Sequence, residues 1–127
     1  MATKVLIVDD DTDIRRGLNI WLRAQGYEML FAADSVSALA TAIKEHPDLI
    51  ILDLGLPAGD GFVFMERMQK YPALACTPVI VLSARDAREN KPRALAAGAY
   101  AFFQKPADNG QLLKTIRAAL DAAKVER

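Results

Sequence analysis

The segment Lys4–Asp11, KVLIVDDD, joins a short, continuous apolar run to three consecutive carboxylates. Two further runs, LIIL at Leu49–Leu52 and VIVL at Val79–Leu82, are apolar at every position. Strands that are buried on both faces lack polar alternation, so these runs are typical of central strands in a parallel sheet. Weaker strands are predicted at Glu28–Ala33 and Tyr100–Gln104. The sequence therefore predicts five strands.

Helical patterns follow each of these strands, which gives five predicted helices. The first helix is predicted to end at Gly26, and the second to begin after Ser35 as its N-cap. The third is predicted over Phe62–Tyr71, with Pro72 as its end. The fourth is predicted to start near Asn90, with Pro92 in its first turn, and the fifth to cover Asn109–Ala123. The second helix is marked by Val36, Leu39, Ala40 and Ile43. Strict alternation of strands and helices implies right-handed crossovers and a flavodoxin-like α/β fold, a three-layer sandwich around a parallel sheet.

The composition is that of one globular domain. The chain has 127 residues, of which 52% are hydrophobic and 25% charged, and its formal net charge is zero. No stretch approaches the roughly 20 consecutive apolar residues of a membrane span, and zero net charge gives no reason to expect bulk attraction to nucleic acid or lipid. A single cysteine, Cys76, excludes an internal disulfide and fits a reducing compartment. We therefore expect one cytoplasmic domain over residues 1–127.

The neutral total hides an uneven distribution of charge. Residues 1–63 contain ten acidic and five basic side chains, for a net charge of −5, whereas residues 64–127 contain six acidic and eleven basic ones, for +5. Such an asymmetry is typical of either a charged tail or a localised acidic site. The places where the carboxylates fall on the predicted strands distinguish these two possibilities.

Four of the five predicted strands end in polar residues that can take part in chemistry. Asp9–Asp11 follow the first strand, Asp53 the third, Ser83 the fourth, and Lys105-Pro106 the fifth. In open parallel sheets, sites form outside the carboxyl ends of the strands, where the strand order reverses. With the second strand at the edge, in the order 2-1-3-4-5, the other four ends converge on one rim.

The residue types at this rim favour a metal-assisted phosphoryl site. Carboxylates of Asp9, Asp10 and Asp53 placed within a few ångströms would repel one another unless a cation were present. A few carboxylate ligands completed by water suit Mg²⁺. Lys105 and the Ser83 hydroxyl would complete a pocket for a small tetrahedral dianion. Such a set resembles an acceptor site for a phosphoryl group.

Four segments together resemble the receiver domain of bacterial two-component response regulators, which has the chemotaxis-regulator fold. They are LIVDDD at Leu6–Asp11, LIILDLGLPAGDG at Leu49–Gly61, VIVLSA at Val79–Ala84 and AGAYAFFQKP at Ala97–Pro106. Each motif alone is weak, whereas all four in this order and spacing are highly specific. The resemblance covers essentially the whole chain.

The resemblance implies that Asp53 is the phosphoacceptor for a sensor histidine kinase or a phosphotransfer protein. Asp10 and Asp53 would bind Mg²⁺ directly, with Mn²⁺ as a possible substitute, and Asp9 would bind it through a water. The backbone carbonyl of Gly55 is the further ligand that the family implies. A protein of this kind is a signalling phosphoacceptor that assists its own phosphotransfer and dephosphorylation, and we do not expect it to be an enzyme with a separate substrate.

The resemblance also implies how the signal is read. Ser83 and Lys105 would contact phosphoryl oxygens, and the small Ala84 would leave the phosphoryl pocket open. Phe102 is the switch aromatic, expected to turn into the space that the Ser83 hydroxyl vacates. Pro106 is expected to follow a cis peptide bond. The changing surface would be formed by the fourth predicted helix, the fifth strand and the fifth helix.

Several functional contexts are compatible with this interpretation. No output domain is predicted in this chain, which fits a stand-alone receiver acting on a partner protein, or a receiver fragment of a transcription factor or hybrid kinase. The oligomeric state is expected to be a monomer or a phosphorylation-dependent dimer, although Ala99-Tyr100-Ala101 lacks the acidic residues common in one dimer mode of the family. Direct binding to nucleic acid or a membrane is not expected.

An alternative from the enzyme class is a phosphohydrolase of the haloacid-dehalogenase type. Asp9-Asp10-Asp11 after a strand partly resembles the nucleophile motif of that family. The family requires Thr or Val where this chain has Asp13, and it leaves Asp53 without a role. The two hypotheses differ in the residue that would carry the phosphoryl group.

Overall fold

The computed structural model describes residues 2–126, with side chains up to Lys124, and contains one sheet of five parallel strands. The strands are β1 (Lys4–Val8), β2 (Glu28–Ala32), β3 (Leu49–Leu52), β4 (Val79–Ser83) and β5 (Ala101–Gln104). Their order, β2-β1-β3-β4-β5, confirms the predicted topology and places β2 at one edge.

Within residues 2–126, six helices cover the sheet, one more than predicted. They are α1 (Thr12–Ala24), α2 (Ser35–Glu45), α3 (Gly61–Met68), α4 (Pro72–Ala75), α5 (Ala87–Ala96) and α6 (Asn109–Glu126). The prediction of one helix over 62–71 was wrong, because α3 ends at Met68 and Pro72 opens the short α4 instead of ending α3. A proline at the first helical position loses no hydrogen bond, since that N–H has no partner within the helix.

The predicted start of the fourth helix was also wrong. This helix, α5, begins at Ala87, and the carboxylate of Asp86 caps it by accepting the Arg88 N–H at 2.9 Å. Pro92 consequently lies inside the helix and not in its first turn. Because proline has no N–H, it cannot donate to the carbonyl four residues earlier, that of Arg88. Pro92 therefore correctly indicated a helix, but the start predicted from it, Asn90, lies three residues after the observed start, Ala87.

The second helix differs from its prediction in its cap and in its buried face. Asp34, not Ser35, is the N-cap, and its carboxylate accepts hydrogen bonds from both the backbone N–H and the hydroxyl of Ser37. The fully buried residues of α2 are Ser35, Ala38 and Ala42. Val36 and Ile43, which mark this helix in the sequence, are instead 58% and 39% exposed. Small side chains let α2 pack closely on the sheet.

Two apolar layers enclose the sheet. Alternate residues of β1 enter opposite layers: Leu6 and Val8 pack beneath α2, α3 and α5, whereas Val5 and Ile7 pack beneath α1 and α6. All four side chains are fully buried, and each contributes about 1.5–3 kcal/mol by leaving water. None of the helices in residues 2–126 has the length and apolar character needed to cross a membrane. The buried strands form a rigid base that fixes the positions of the residues at their carboxyl ends.

Candidate functional site

The backbone at the carboxyl ends of the strands continues the sheet pairing by one residue. The Asp53 N–H donates to the Val8 carbonyl at 2.9 Å, and the Lys105 N–H donates to the Ser83 carbonyl at 2.8 Å. The Asp9 N–H donates to the carbonyl of Ala32 at 3.1 Å. The main chains of the three charged residues are therefore held as firmly as the strands themselves.

Three carboxylates meet at this edge of the sheet. Asp9, Asp10 and Asp53 each offer an oxygen, and these oxygens all lie within 4.8 Å of one another. Asp9 is buried, Asp53 is half-buried and Asp10 is exposed. Like charges at this distance repel, and a hard divalent cation relieves the repulsion by taking carboxylate oxygens as ligands. The donor set therefore fits Mg²⁺.

Lys105 supplies the positive charge at the same edge. Its Nζ donates to Oδ2 of Asp9 at 2.8 Å and lies 3.8 Å from Oδ2 of Asp53. Burial raises the pKa of the Asp9 carboxyl above its usual range, whereas its hydrogen bonds with Lys105 and the Asp11 amide act in the opposite direction. Lys105 thus offsets part of the repulsion within the acidic cluster.

This arrangement of residues on a β2-β1-β3-β4-β5 sheet matches a known protein family. Residues 5–117 match the family model described as the response regulator receiver domain. The chain belongs to this family. The resemblance inferred from the four sequence motifs is therefore confirmed, and the chain is a receiver domain of two-component signalling.

Known relatives agree with this assignment. The chain is 44% identical to the KDP operon transcriptional regulatory protein KdpE of Escherichia coli over 118 residues, which cover 93% of this chain and 51% of KdpE. It therefore spans about half the length of this curated relative. Among solved structures, a CheY-like receiver domain protein from Methanospirillum hungatei has a TM-score of 0.92 at 31% identity, with both chains fully covered. The chemotaxis response regulator CheY4 of Vibrio cholerae has a TM-score of 0.86 at 35% identity over 94% of this chain and 99% of CheY4.

Ser83 and Phe102 occupy neighbouring strands of the receiver domain. Ser83 ends β4 and is almost completely buried, and its hydroxyl accepts the N–H of Arg85 at 3.2 Å. Phe102 lies on β5 opposite Val81, and its ring is buried in the layer beneath α2, α3 and α5. Ala84 is exposed next to Ser83. In this structure the Ser83 hydroxyl is thus hydrogen-bonded to the loop that follows it, and the Phe102 ring packs in the core.

Gly55 and Pro106 border the acidic cluster on either side. Gly55 is exposed, and a Cβ atom built on it would lie 4.0 Å from Oδ2 of Asp53. The Lys105–Pro106 peptide bond is cis. Both residues thus adjoin a charged member of the site, Asp53 or Lys105.

Two residues near the site, Gly61 and Asp60, had no predicted role. A Cβ on Gly61 would lie 2.8 Å from the Asp53 carbonyl oxygen and 2.9 Å from the Leu54 Cα, so only glycine fits there without a shift. Asp60 caps α3 by accepting the Val63 N–H, and its Oδ2 lies 3.6 Å from Nη1 of Arg85. The Asp-Gly pair before an apolar helix is a recognisable N-cap signal. The contact with Arg85 has no such local signature.

Proposed function

We propose that Asp53 is the phosphoacceptor of this receiver domain and takes its phosphoryl group from the phosphohistidine of a sensor histidine kinase or a phosphotransfer protein. The observation that carries the proposal is the position of the Asp53 carboxylate, half-buried within the acidic cluster and 3.8 Å from Lys105. Asp9 is less suited to the role, because its oxygens already accept hydrogen bonds from Lys105 and the Asp11 N–H.

The transfer exchanges one bond to phosphorus for another. A carboxylate oxygen of Asp53 attacks the phosphorus, and an acyl phosphate bond forms as the phosphorus–nitrogen bond of the phosphohistidine breaks. The imidazole nitrogen keeps the electron pair of the broken bond. Lys105 and Ser83 stabilise the charge on the phosphoryl oxygens, the lysine by its ammonium group and the serine by its hydroxyl. Ala84 leaves room for the group to enter.

The carboxylates of Asp10 and Asp53 and the Gly55 carbonyl would hold Mg²⁺ or Mn²⁺ directly, and Asp9 would hold it through a water. When bound, the ion neutralises negative charge that builds up on the carboxylates and the phosphoryl group. The cluster of three carboxylate oxygens within 4.8 Å supports this assignment. The same groups assist the later hydrolysis of the acyl phosphate, so the domain influences how long its own signal lasts.

The signal leaves the site through Ser83 and Phe102. When the Ser83 hydroxyl turns toward a phosphoryl oxygen, the space it vacates accepts the Phe102 ring, and the surface of α5, β5 and α6 changes. Tyr100, 44% exposed, immediately precedes β5 at this surface. Because relatives such as KdpE are about twice as long, we propose that residues 1–127 form one receiver domain that controls either an output domain or a separate partner, as a monomer or a phosphorylation-dependent dimer.

The proposed setting is the cytoplasm, where a reducing environment keeps the single exposed thiol of Cys76 free. Neither nucleic acid nor a membrane is a proposed partner of this domain, since its formal net charge is zero. The proposed partners are therefore proteins: a phosphodonor with a phosphohistidine and a target of the α5–β5–α6 surface.

Chemical trapping of the acyl phosphate tests the proposed phosphoacceptor. The protein is incubated with acetyl phosphate and Mg²⁺, reduced with borohydride, digested and analysed by mass spectrometry. We expect modification of Asp53 and none in the Asp53→Asn variant or without Mg²⁺. Modification of Asp9 or Asp11 would contradict the proposal and support a phosphohydrolase of the haloacid-dehalogenase type.

A further inference from the structure

Arg85 connects the two loops that border the proposed phosphoryl site. Its backbone N–H donates to the Ser83 hydroxyl at 3.2 Å, and its Nη1 lies 3.6 Å from Oδ2 of Asp60. The backbone of Arg85 thus belongs to the loop after β4, while its guanidinium reaches the loop after β3. The side chains of Arg85 and Asp60 are 37% and 31% exposed, so the ion pair is in contact with solvent.

Asp60 holds this guanidinium at the loop that follows the phosphoacceptor. The Gly61 N–H donates to the Leu54 carbonyl at 2.9 Å, and a Cβ on Gly61 would lie 2.8 Å from the Asp53 carbonyl oxygen. The other carboxylate oxygen of Asp60 accepts the Val63 N–H and fixes the first turn of α3. The backbone that follows Asp60 is therefore packed against the main chain of Asp53 and Leu54, and the guanidinium paired with Asp60 is held at the loop between β3 and α3.

Phosphorylation would weaken both contacts of Arg85. A phosphoryl group brings about −1.5 to −2 charge, more than the single charge of Asp60, and its oxygens match the planar fork of a guanidinium. When the Ser83 hydroxyl turns toward the phosphoryl group, its hydrogen bond with the Arg85 N–H is lost as well. Few side chains of the following helix are buried: Ala94 is the only fully buried residue among 87–96, and Pro92 interrupts its hydrogen bonding. A further contact places the Arg93 guanidinium 3.8 Å from the centre of the Phe62 ring.

We propose that Arg85 exchanges partners. Its guanidinium pairs with Asp60 in the unphosphorylated protein and with the phosphoryl group on Asp53 in the phosphorylated one. Asp60 is thus a competitor that tunes how readily the phosphorylated state forms, and Arg85 binds the phosphoryl group and carries the movement toward α5. This inference rests on the proposed function of Asp53.

Competition between Asp60 and a phosphoryl group can be measured with beryllofluoride, a stable stand-in for that group. Mg²⁺-dependent binding is measured by calorimetric titration for the wild-type protein, Asp60→Asn, Arg85→Gln, Arg85→Lys and the double variant Asp60→Asn/Arg85→Gln. Asparagine removes the charge of Asp60 and keeps an oxygen that can cap α3, and circular dichroism checks that each variant is folded. The guanidinium Nε–H signal of Arg85 in ¹⁵N spectra reports the change of partner directly.

We expect Asp60→Asn to bind beryllofluoride about two- to fivefold more tightly, because an exposed ion pair no longer competes. Arg85→Gln should bind about tenfold more weakly, since a charged hydrogen bond to the anion is lost. The double variant should match Arg85→Gln, and Arg85→Lys should lie between Arg85→Gln and the wild type. The Arg85 Nε–H signal should shift when beryllofluoride is added.

Two results would overturn the exchange: unchanged binding by Asp60→Asn, or the same gain from Asp60→Asn when Arg85 is already glutamine. A different result would overturn the proposed function itself. In that case the wild-type protein would neither bind beryllofluoride nor become phosphorylated on Asp53 by acetyl phosphate. Testing the wild type for both properties therefore separates failure of the exchange from failure of the phosphoacceptor assignment.

Discussion

Lys105 and Asp9, 96 positions apart in the chain, are joined by a hydrogen-bonded ion pair of 2.8 Å between Nζ and Oδ2. Their side chains are only 16% and 5% exposed. The pair brings together the ends of β5 and β1, two strands that are not neighbours in the sheet. The ammonium group of Lys105 stabilises the buried carboxylate of Asp9 beside Asp10 and Asp53.

Removal of the lysine should therefore destabilise the metal-free protein. In Lys105→Met, Asp9 loses the hydrogen bond from Nζ and remains buried, and we expect the free energy of unfolding to fall by about 1–3 kcal/mol. Urea denaturation at neutral pH in the presence of a chelator measures the change. The double variant Asp9→Asn/Lys105→Met should lose less than the sum of the single variants. Additive losses would show that the pair does not couple these residues.

A second prediction concerns the close packing of Gly61 on the backbone of Asp53. A Cβ on Gly61 would meet main-chain atoms at 2.8 and 2.9 Å, so Gly61→Ala should lower the free energy of unfolding by about 1–3 kcal/mol and displace Asp53. Phosphorylation by acetyl phosphate should slow accordingly. Gly17→Ala is the matched control, because Gly17 lies within α1 and a Cβ there has nothing within 4 Å.

Alanine at position 17 should raise stability by about 1 kcal/mol, because alanine favours the helix more than glycine does. Chemical denaturation of both variants provides the comparison. The prediction is contradicted if Gly61→Ala is as stable as Gly17→Ala and is phosphorylated at the normal rate. The loop after β3 would then accommodate the added Cβ without displacing Asp53.

The sequence predicts the sheet well because its signals are local. LIIL and VIVL are apolar at every position, and the structure buries each of those side chains. The polar residues that end these strands meet at one edge because parallel strands place their carboxyl ends together. The acidic cluster of Asp9, Asp10 and Asp53 could therefore be predicted from strand positions alone.

The errors concern features that depend on packing between distant segments. Val36 and Ile43 recur at helical spacing, yet both are exposed, and α2 packs on the sheet through the small side chains of Ala38 and Ala42. The space available between α2 and the sheet decides which face is buried, and a local sequence pattern does not contain that information. Pro92 suggests a helix start, but the cap at Asp86 extends α5 by more than one turn in front of it. The contact between Arg85 and Asp60 is invisible in the sequence because it joins two loops.

The N-cap of α2 makes a specific pH dependence expected. Hydrogen bonds from the Ser37 N–H and hydroxyl hold the pKa of the Asp34 carboxyl below its ordinary value of 3.8. A carboxyl whose pKa is lower in the folded state stabilises the protein above the unfolded pKa, and this stabilisation is lost as the pH falls through the folded pKa. The wild-type protein should thus lose more stability on acidification below about pH 4 than Asp34→Asn, which cannot titrate.

Urea denaturation at a series of pH values between about 2 and 6 checks this expectation. The difference in the free energy of unfolding between wild type and Asp34→Asn should be constant at the upper end of this range and should shrink toward the lower end. Parallel curves for the two proteins throughout the range would contradict it. Asparagine keeps an oxygen that can cap α2. A difference in the free energy of unfolding that stays constant with pH would therefore reflect the altered cap and not the titration of Asp34.

Mg²⁺ should stabilise the wild-type protein through the acidic cluster. A ligand that binds only the folded state raises the free energy of unfolding by about 2.7 kcal/mol at a concentration one hundred times its dissociation constant.

Asp10→Asn removes one of the three carboxylates at an exposed position. The stability of this variant without Mg²⁺ should therefore change little, while the Mg²⁺-dependent increase in melting temperature should be largely lost. Asp13→Asn, an exposed carboxylate in the first turn of α1 and outside the cluster, should retain the full increase. Equal increases in the two variants would show that Mg²⁺ acts elsewhere on the protein, and thermal melts with and without the ion distinguish these outcomes.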